Sequence, residues 1–351
     1  MRDDRALVRG LVEIPSLSRH EGDAVEWLVA RMAERGFQAS VDDAGNAIGA
    51  IGSGARHAVL LGHVDTVPGE IPVRIEDGEL VGRGAVDAKG PLAAFVAAAT
   101  TPPPGLRITV VGAVEEESPT SAGARHRATL AAPDWCVIGE PSGWDGVTVG
   151  YKGRLVLRIT LERPARHGAA PGPTVSEEAL AIWSALRSAT EAREGSGFER
   201  LDCRLEGIIA GSAGGLSERA EFVVGYRLPP GVAVDEVEQE ARRIASERAG
   251  EATVTVVRTA ADEPVRTARS SPLAQAFARA IAAHGGRIAF KTKSGTSDMN
   301  ILYPAWACPM VAYGPGDASY DHTPIERLSL ADYDRSILVL KFVLAGLAAI
   351  P

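Results

Sequence analysis

LLGHVDTVPG, residues 60–69, is the stretch that decides the fold. Together with the preceding HAV it forms an apolar run that ends in polar residues, which is typical of a buried strand reaching the edge of a sheet. His63 and Asp65 are separated by one residue, so a strand directs both side chains to the same face. Polar side chains at strand ends meet in the crevice where open α/β sheets bind ligands. The stretch therefore predicts an α/β fold with a functional site beside His63.

The sequence on either side of this strand alternates helices with further buried strands. PLAAFVAAAT (91–100) has the pattern of a buried helix, whereas LRITVVGAV (106–114) and CPMVAYGPG (308–316) are short apolar runs typical of buried strands. Strands that alternate with helices indicate a layered α/β domain. We expect a central mixed sheet with flanking helices.

A second domain is predicted from a change in pattern near Tyr151. RLVLRITLERPA (154–165) alternates like a half-buried strand, and SEEALAIWSALRSAT (176–190) is an amphipathic helix; a strand, a helix and a strand follow. At 351 residues the chain also exceeds the size that one hydrophobic core usually supports. We therefore expect an inserted α+β domain at 154–262, with 1–153 and 263–351 forming the catalytic domain.

The composition argues against several classes of partner. A formal net charge of -8 gives no long-range attraction for nucleic acid or for an anionic membrane. The sequence contains no apolar run of about 18 residues, and MRDDRALVRG at the start is too charged for a signal peptide. Cys136, Cys203 and Cys308 are odd in number, and we interpret them as buried thiols. The expected location is the cytoplasm, with no nucleic acid or membrane as partner.

Several further acidic and histidine residues follow apolar runs or glycine-rich turns, as His63 and Asp65 do. The additional candidates are Asp87 in GRGAVDAKGP, Glu115, Glu116 and Glu117 after ITVVGAV, Glu140 in CVIGEPS and His322 in SYDHTPIE. Adjacent carboxylates at a buried strand end repel one another unless a cation compensates. Nitrogen and oxygen ligands without thiolates suit catalytic zinc, or cobalt and manganese. Two simpler interpretations are open at this point: Asp87 as a helix cap, and the glutamates as a solvated turn.

These stretches resemble the zinc aminoacylase and carboxypeptidase family that includes acetylornithine deacetylase and succinyl-diaminopimelate desuccinylase. The resemblance spans almost the whole chain in the family's order. It is carried by LGHVDTVPG (61–69), GRGAVDAKG (82–90), VEEE (114–117) with GAR (123–125), GEPS (139–142), YKGR (151–154), RHGAAPGPTVSE (166–177), YRLPPG (226–231), KSGTSDMN (293–300) and YDHTPIE (320–326).

The resemblance implies two Zn²⁺ ions per subunit, for which Co²⁺ is a possible substitute, and a metal-dependent hydrolysis of linear amides. By the family pattern, Asp87 bridges both metals. One metal is completed by His63 and Glu140, and the other by Glu117 and His322. The remaining implied roles concern Asp65, which orients His63, and Glu116, which is the general base.

The register of the three glutamates leaves an alternative. The family usually shows Asp-Glu-Glu where this chain has Glu115, Glu116 and Glu117. Aligning Glu115 with the aspartate makes Glu116 the base and Glu117 the ligand. The other alignment makes Glu115 the base and Glu116 the ligand.

The resemblance also implies a role for the inserted domain as a lid and dimerisation domain. His167 of RHGAAPG matches a family histidine that reaches the active site of the other subunit and stabilises the oxyanion. A homodimer is therefore expected.

The substrate is suggested by KTKSGTSDMN. Hydroxyl and backbone donors at Ser294, Gly295, Thr296 and Ser297 suit a carboxylate, and Asp298 suits an ammonium group, although Ser297 or Asp298 as a helix cap is the alternative.

Within the family the chain looks most like the subgroup that releases lysine, and in some cases ornithine, from the γ-glutamyl end of an acidic, LysW-like amino-group carrier protein. Lys152, Arg154 and Arg166 form a hypothetical docking patch for that carrier. The rival activities are deacylation of acetylornithine, acetyl-lysine or succinyl-diaminopimelate, and the rival class is a metal-free binding relative.

Overall fold

The computed structural model describes residues 3–213 and 215–349. The chain divides into two compact units. Unit 1 comprises Met1–Gly150, Thr267–Thr292 and Ser297–Pro351, and unit 2 comprises Tyr151–Arg266 and Lys293–Thr296. The insertion predicted at 154–262 lies inside unit 2.

Helices and strands are interspersed along the described chain. The helices are α1 Asp4–Val12, α2 Gly22–Glu34, α3 Lys89–Ala99, α4 Ala122–Ala128, α5 Val175–Glu191, α6 Val234–Arg248, α7 Pro272–Ala283, α8 Met299–Trp306 and α9 Leu330–Ala348. The strands are β1 Gln38–Val41, β2 Ala47–Gly52, β3 Arg56–His63, β4 Arg74–Glu76, β5 Glu79–Val81, β6 Leu106–Ala113, β7 Trp135–Gly139, β8 Gly146–Tyr151, β9 Gly153–Pro164, β10 Asp202–Ala213, β11 Ser217–Leu228, β12 Thr253–Asp262, β13 Val265–Arg266, β14 Ala289–Lys293, β15 Met310–Ala312 and β16 Arg327–Ser329.

The main sheet of unit 1 runs in the order β1-β2-β6-β3-β7-β15-β8. Strands β6, β3, β7 and β15 are parallel, whereas β2 and β8 join them antiparallel. In this register His63 of β3 lies opposite Ala113 of β6, and Gly62 lies opposite Gly139 of β7. The predicted α/β fold with a mixed sheet is confirmed, and the carboxyl ends of its three central strands lie side by side.

Helix α3 packs directly beneath these strand ends. Every residue of α3 is buried, which is typical of a helix that is apolar on all sides. Its close approach depends on glycine, because a Cβ on Gly139 would lie 2.9 Å from both Gly62 Cα and the ring of Phe95. The site at the strand ends therefore stands on a closely packed apolar floor.

A three-stranded sheet, β16-β5-β4, brings two loops of unit 1 together. Strand β5 precedes the loop 82–88, and β16 follows the loop 320–326. The two strands are antiparallel, with Arg327 opposite Val81. The loops that carry Asp87 and His322 are thus anchored at neighbouring points.

Unit 2 is a four-stranded antiparallel sheet in the order β10-β11-β9-β12, packed against α5 and α6. The alternating residues Leu155, Leu157, Ile159 and Leu161 of β9 are fully buried against the helices. Helix α5 begins with a capping box between Thr174 and Glu177. Strands β9, β11 and β12 were predicted from their alternation, whereas β10 was not, because a register shift between Leu205 and Gly207 interrupts its alternation.

Two further expectations concern the cysteines and the membrane. Cys136 and Cys308 are buried, but Cys203 is only partly buried, and all three are free thiols. None of the helices in the described part of the chain combines the length and apolar character that a membrane-spanning segment requires.

Candidate active site

The ends of β3, β6 and β7 bring histidine and carboxylate side chains together in unit 1. Potential ligand atoms in each of three groups lie within 4.8 Å of one another. The groups are His63, Asp87 and Glu140; Asp87, Glu117 and His322; and His63, Glu116 and Glu117. The structure thus brings together six residues that were singled out from the sequence.

Asp87 belongs to two of these groups and lies between the two histidines. Its Oδ1 is 3.1 Å from His63 Nε2, and its Oδ2 is 3.1 Å from His322 Nε2. His322 Nε2 is also 2.9 Å from Glu117 Oε1. The helix-cap interpretation of Asp87 is wrong, because α3 begins at Lys89 and the cap position is Ala88. A carboxylate with one oxygen towards each imidazole has the arrangement that bridges two cations.

The donor set fits divalent transition-metal ions. Within the described residues the groups consist of imidazole nitrogens and carboxylate oxygens, with no thiolate among them. Such ligands suit zinc, cobalt or manganese in catalytic sites. His63 and Glu140 are buried, whereas His322 is about half exposed, so the centre is open on the His322 side.

The electrostatics show that the cluster demands positive charge. Hydrogen bonds to Asp87 and Glu117 raise the pKa of His322 to about 10. Burial opposes the charged form of His63, yet hydrogen bonds with Asp65 and Asp87 raise its pKa well above the ordinary value. Without metal, the two imidazoles therefore hold protons among the carboxylates.

Glu116 belongs to the third group, with His63 and Glu117, and its surroundings oppose ionisation of its carboxyl. Burial of its carboxyl raises its pKa well above the ordinary value, and the negative charges of Asp298, Glu140 and Glu117 raise it further, whereas His63 lowers it. A glutamate in such surroundings can hold and release a proton, as a general acid–base group must. All three glutamates are partly buried, which a solvated turn does not account for.

Asp65 organises the glutamate run as well as His63. Its Oδ1 accepts a hydrogen bond from the Glu116 N–H at 3.1 Å, and its Oδ2 accepts from the Glu117 N–H at 3.0 Å and the Ser18 hydroxyl at 2.7 Å. His63 Nδ1 lies 2.9 Å from the Asp65 carbonyl oxygen and 3.5 Å from its carboxylate. Asp65 thus orients His63 mainly through its backbone, and it holds Glu116 and Glu117 through its side chain.

Sequence reasoning missed two residues that shape the turn after β6. Asn46 is fully buried; its Oδ1 accepts from the Val114 N–H at 3.1 Å and its Nδ2 donates to the Gly123 carbonyl at 3.2 Å. Glu21 Oε1 accepts from the N–H of Glu115, a residue with φ of 61°. Their partners are distant in sequence, so no local pattern points to them.

The predicted substrate segment is divided between the units. Ser294, Gly295 and Thr296 belong to unit 2, whereas Ser297 and Asp298 belong to unit 1 and are buried. Asp298 occupies the cap position of α8 but makes no side-chain cap hydrogen bond. Its negative charge acts on Glu116 instead.

In unit 2, His167 is exposed and its Nδ1 accepts the Ala169 N–H at 3.1 Å. That contact leaves Nε2 as the protonated nitrogen of the neutral ring.

The hypothesis of a docking patch for the carrier is wrong for Lys152, one of its three members. Lys152 is buried, with its Nζ 2.6 Å from Asp202, so it lies outside any surface patch. Arg154 pairs with Asp262 at 2.9 Å, and Arg166 donates to the Pro173 carbonyl at 2.5 Å.

Comparison with known proteins shows the family to which this chain belongs. The model of Peptidase family M20/M25/M40 matches residues 59–345. The chain belongs to this family, and it is a hydrolase acting on amide bonds; the resemblance noted in the sequence is confirmed.

Individual relatives match along nearly the whole chain. One from Deinococcus radiodurans, named LysW-lysine hydrolase, is 43% identical over 98% of this chain and 96% of its own. One from Thermococcus kodakarensis, with the provisional name LysW-lysine/LysW-ornithine hydrolase, is 41% identical over 97% of this chain and 91% of its own. The solved structure of a Bacillus subtilis dinuclear metal-binding peptidase of the M20 family has a TM-score of 0.76 at 16% identity, covering 99% of this chain and 98% of that one.

The raised pKa of His322 predicts how the metal-free protein responds to pH. Because its folded pKa of about 10 exceeds the ordinary value of 6.5, His322 stabilises the folded state fully below pH 6.5. That stabilisation is lost as the pH rises through 10. In chelator-treated protein, we expect the melting temperature of wild type to exceed that of His322→Gln most at low pH and to converge with it as the pH rises. His20→Gln, at an exposed histidine, is the control; a difference that grew with pH would contradict this assignment.

Proposed function

We propose that the protein releases L-lysine, with L-ornithine as an alternative product, from the γ-glutamyl end of a LysW-like amino-group carrier protein in lysine biosynthesis. The observation that carries the proposal is the bridging arrangement of Asp87 in a chain 43% identical, over 98% of its length, to a LysW-lysine hydrolase. An ornithine product would extend the role to arginine biosynthesis. The free cysteine thiols fit a reducing compartment, which supports a cytoplasmic location.

We assign the metal ligands by the two groups that share Asp87. His63 and Glu140 complete one site, and Glu117 and His322 complete the other. Zn²⁺ is the proposed native ion, with Co²⁺ as a substitute, because both accept mixed imidazole and carboxylate ligands. When bound, the ions supply Lewis acidity to the amide carbonyl and to the attacking water.

Glu116 is the proposed general base and acid. Its carboxylate takes a proton from the attacking water and then delivers that proton to the departing lysine amine. Burial of its carboxyl and the carboxylates that surround it raise its pKa, which favours the protonated state needed for the second step. Asp65 holds the backbone of Glu116 and Glu117, and so keeps the base and the ligand in register with His63.

Substrate contacts are proposed for Ser294, Gly295, Thr296, Ser297 and Asp298. Lysine carries an α-carboxylate and two amino groups, and hydroxyl and carboxylate side chains match those charges. Asp298 has direct support in unit 1, since its charge acts on Glu116 and is therefore felt where the amide reacts.

A homodimer is proposed, in which His167 of the partner subunit donates its Nε2–H to the oxyanion. The support is that His167 is exposed and that its Nδ1 is already occupied by the Ala169 N–H.

Separate substitution of the three glutamates tests the assignment of the base. We expect Glu116→Gln to retain both metal ions and to lose about 10²–10⁴-fold in kcat, because only proton transfer is removed. Glu117→Gln should lower metal occupancy, and Glu115→Gln should change both quantities least. Metal analysis and steady-state kinetics on the same preparations distinguish these results. If Glu115→Gln were the variant that kept metal but lost turnover, the alternative register would hold.

The substrate is tested by product release from matched substrates. The zinc-loaded enzyme is given a carrier protein with γ-glutamyl-lysine, the same carrier with γ-glutamyl-ornithine, acetyl-lysine and acetylornithine at equal concentrations. We expect kcat/KM to be highest for the lysine carrier. A preference for a free acylated amino acid would replace the proposal with a small-molecule deacylase, and absence of metal binding would replace it with a non-catalytic relative.

The dimer is tested by mixing two inactive variants. In a heterodimer of His167→Ala and Glu116→Gln subunits, one of the two sites has both an intact base and an intact partner histidine. Random exchange of subunits should therefore restore about a quarter of the wild-type sites. No recovery after confirmed exchange would show that His167 serves its own subunit or no site.

A further inference from the structure

Glu326 is a fully buried carboxylate in unit 1 that contacts the loop carrying Asp87. Its Oε1 accepts hydrogen bonds from the Val86 N–H at 2.9 Å and from the Asp87 N–H at 3.1 Å. Its Oε2 accepts from Arg83 Nη1 at 2.7 Å. The same side chain therefore holds three residues of the loop 82–88, including the backbone of the proposed bridging ligand.

Glu326 also belongs to the loop that carries His322. It lies four residues beyond His322, and its carbonyl accepts the Gly82 N–H at 3.3 Å. Directly after it, β16 pairs with β5. Glu326 is thus the point at which the two ligand-bearing loops are connected by both main chain and side chain.

A need to hold the two loops together does not by itself explain why a charged residue, Glu326, occupies this position. The pairing of β5 with β16 already joins the loops, and burying a carboxylate and a guanidinium is costly unless every lone pair and proton is used. Here the carboxylate of Glu326 accepts hydrogen bonds from the backbone N–H groups of Val86 and of Asp87, the proposed ligand. Fixing the peptide of Asp87 fixes the direction from which its side chain leaves the backbone, which is the quantity that a bridging ligand requires.

We propose that Glu326, supported by Arg83, is a positioning residue that sets Asp87 relative to His322 and thereby sets the affinity of both metal sites. The inference rests on the proposed metal-binding function, since it takes Asp87 and His322 as ligands. It assigns no contact between Glu326 and substrate or metal. The competing explanation is that the Arg83–Glu326 pair stabilises only the fold.

The test compares Glu326→Gln with a matched control elsewhere in the chain. Glutamine keeps the size of the side chain but replaces one acceptor oxygen by an NH₂ group. That group then faces N–H donors, either those of Val86 and Asp87 or that of Arg83. Glu178→Gln is the control, because Glu178 is also buried and pairs with a buried arginine, Arg163, at 2.9 Å, but both residues belong to unit 2. The quantities measured are Zn²⁺ dissociation constants by competition with a chromophoric chelator, the visible absorption spectrum of the Co²⁺ forms, and the melting temperatures of the metal-free proteins.

We expect Glu326→Gln to weaken Zn²⁺ binding about 10–100-fold and to alter the Co²⁺ spectrum, as loss of a partner that orients a ligand does. Glu178→Gln should lower the melting temperature while leaving both metal readouts unchanged. Arg83→Gln should weaken Zn²⁺ binding less than Glu326→Gln, because the Val86 and Asp87 contacts remain.

Failure of this inference is distinguishable from failure of the proposed function. If wild type binds two ions and folded Glu326→Gln binds them with unchanged affinity and spectrum, Glu326 is structural only and the inference is overturned. If Glu326→Gln does not fold, unchanged Zn²⁺ affinity in Arg83→Gln overturns the inference instead. If wild type itself binds no metal, the proposed function fails first.

Discussion

The structure depends on one shared carboxylate, that of Asp87. One of its oxygens lies near His63 and the other near His322. Around this bridge lie Glu117 and Glu140. Like charges at such separations are unstable unless cations stand among them. The cluster therefore requires positive charge among its carboxylates, which protons on His63 and His322 supply in the metal-free protein.

The fold satisfies that requirement through strand register. The parallel alignment of β3, β6 and β7 places His63, the glutamate run and Glu140 at neighbouring strand ends, and the small β16-β5-β4 sheet anchors the loops that carry Asp87 and His322. Buried carboxylates then fix the loops: Asp65 holds the backbone of Glu116 and Glu117, and Glu326 holds that of Asp87. Glu116, Glu117 and Asp87 are thus each positioned through their own main-chain N–H groups.

How much was predictable follows from the range of the interactions. The apolar runs that end in His63 and Glu140 predicted their strands, because burial on both faces leaves a local pattern. Glu326 left no such pattern, since its partners Val86 and Asp87 are about 240 residues away in sequence. Asn46 was missed for the same reason. Strand β10 was missed because its register shift interrupts the alternation by which a strand is recognised.

The apolar floor made by α3 limits where this protein can change over evolution. A Cβ on Gly139 would lie 2.9 Å from Gly62 Cα and from the ring of Phe95, so a larger side chain there has no room, and a Cβ on Gly62 would lie 3.3 Å from Leu92 Cβ, which must then shift. Substitution beneath the cluster is therefore limited by close packing. A larger residue at Gly139 therefore needs a compensating loss of volume at Phe95, so these positions can change only together.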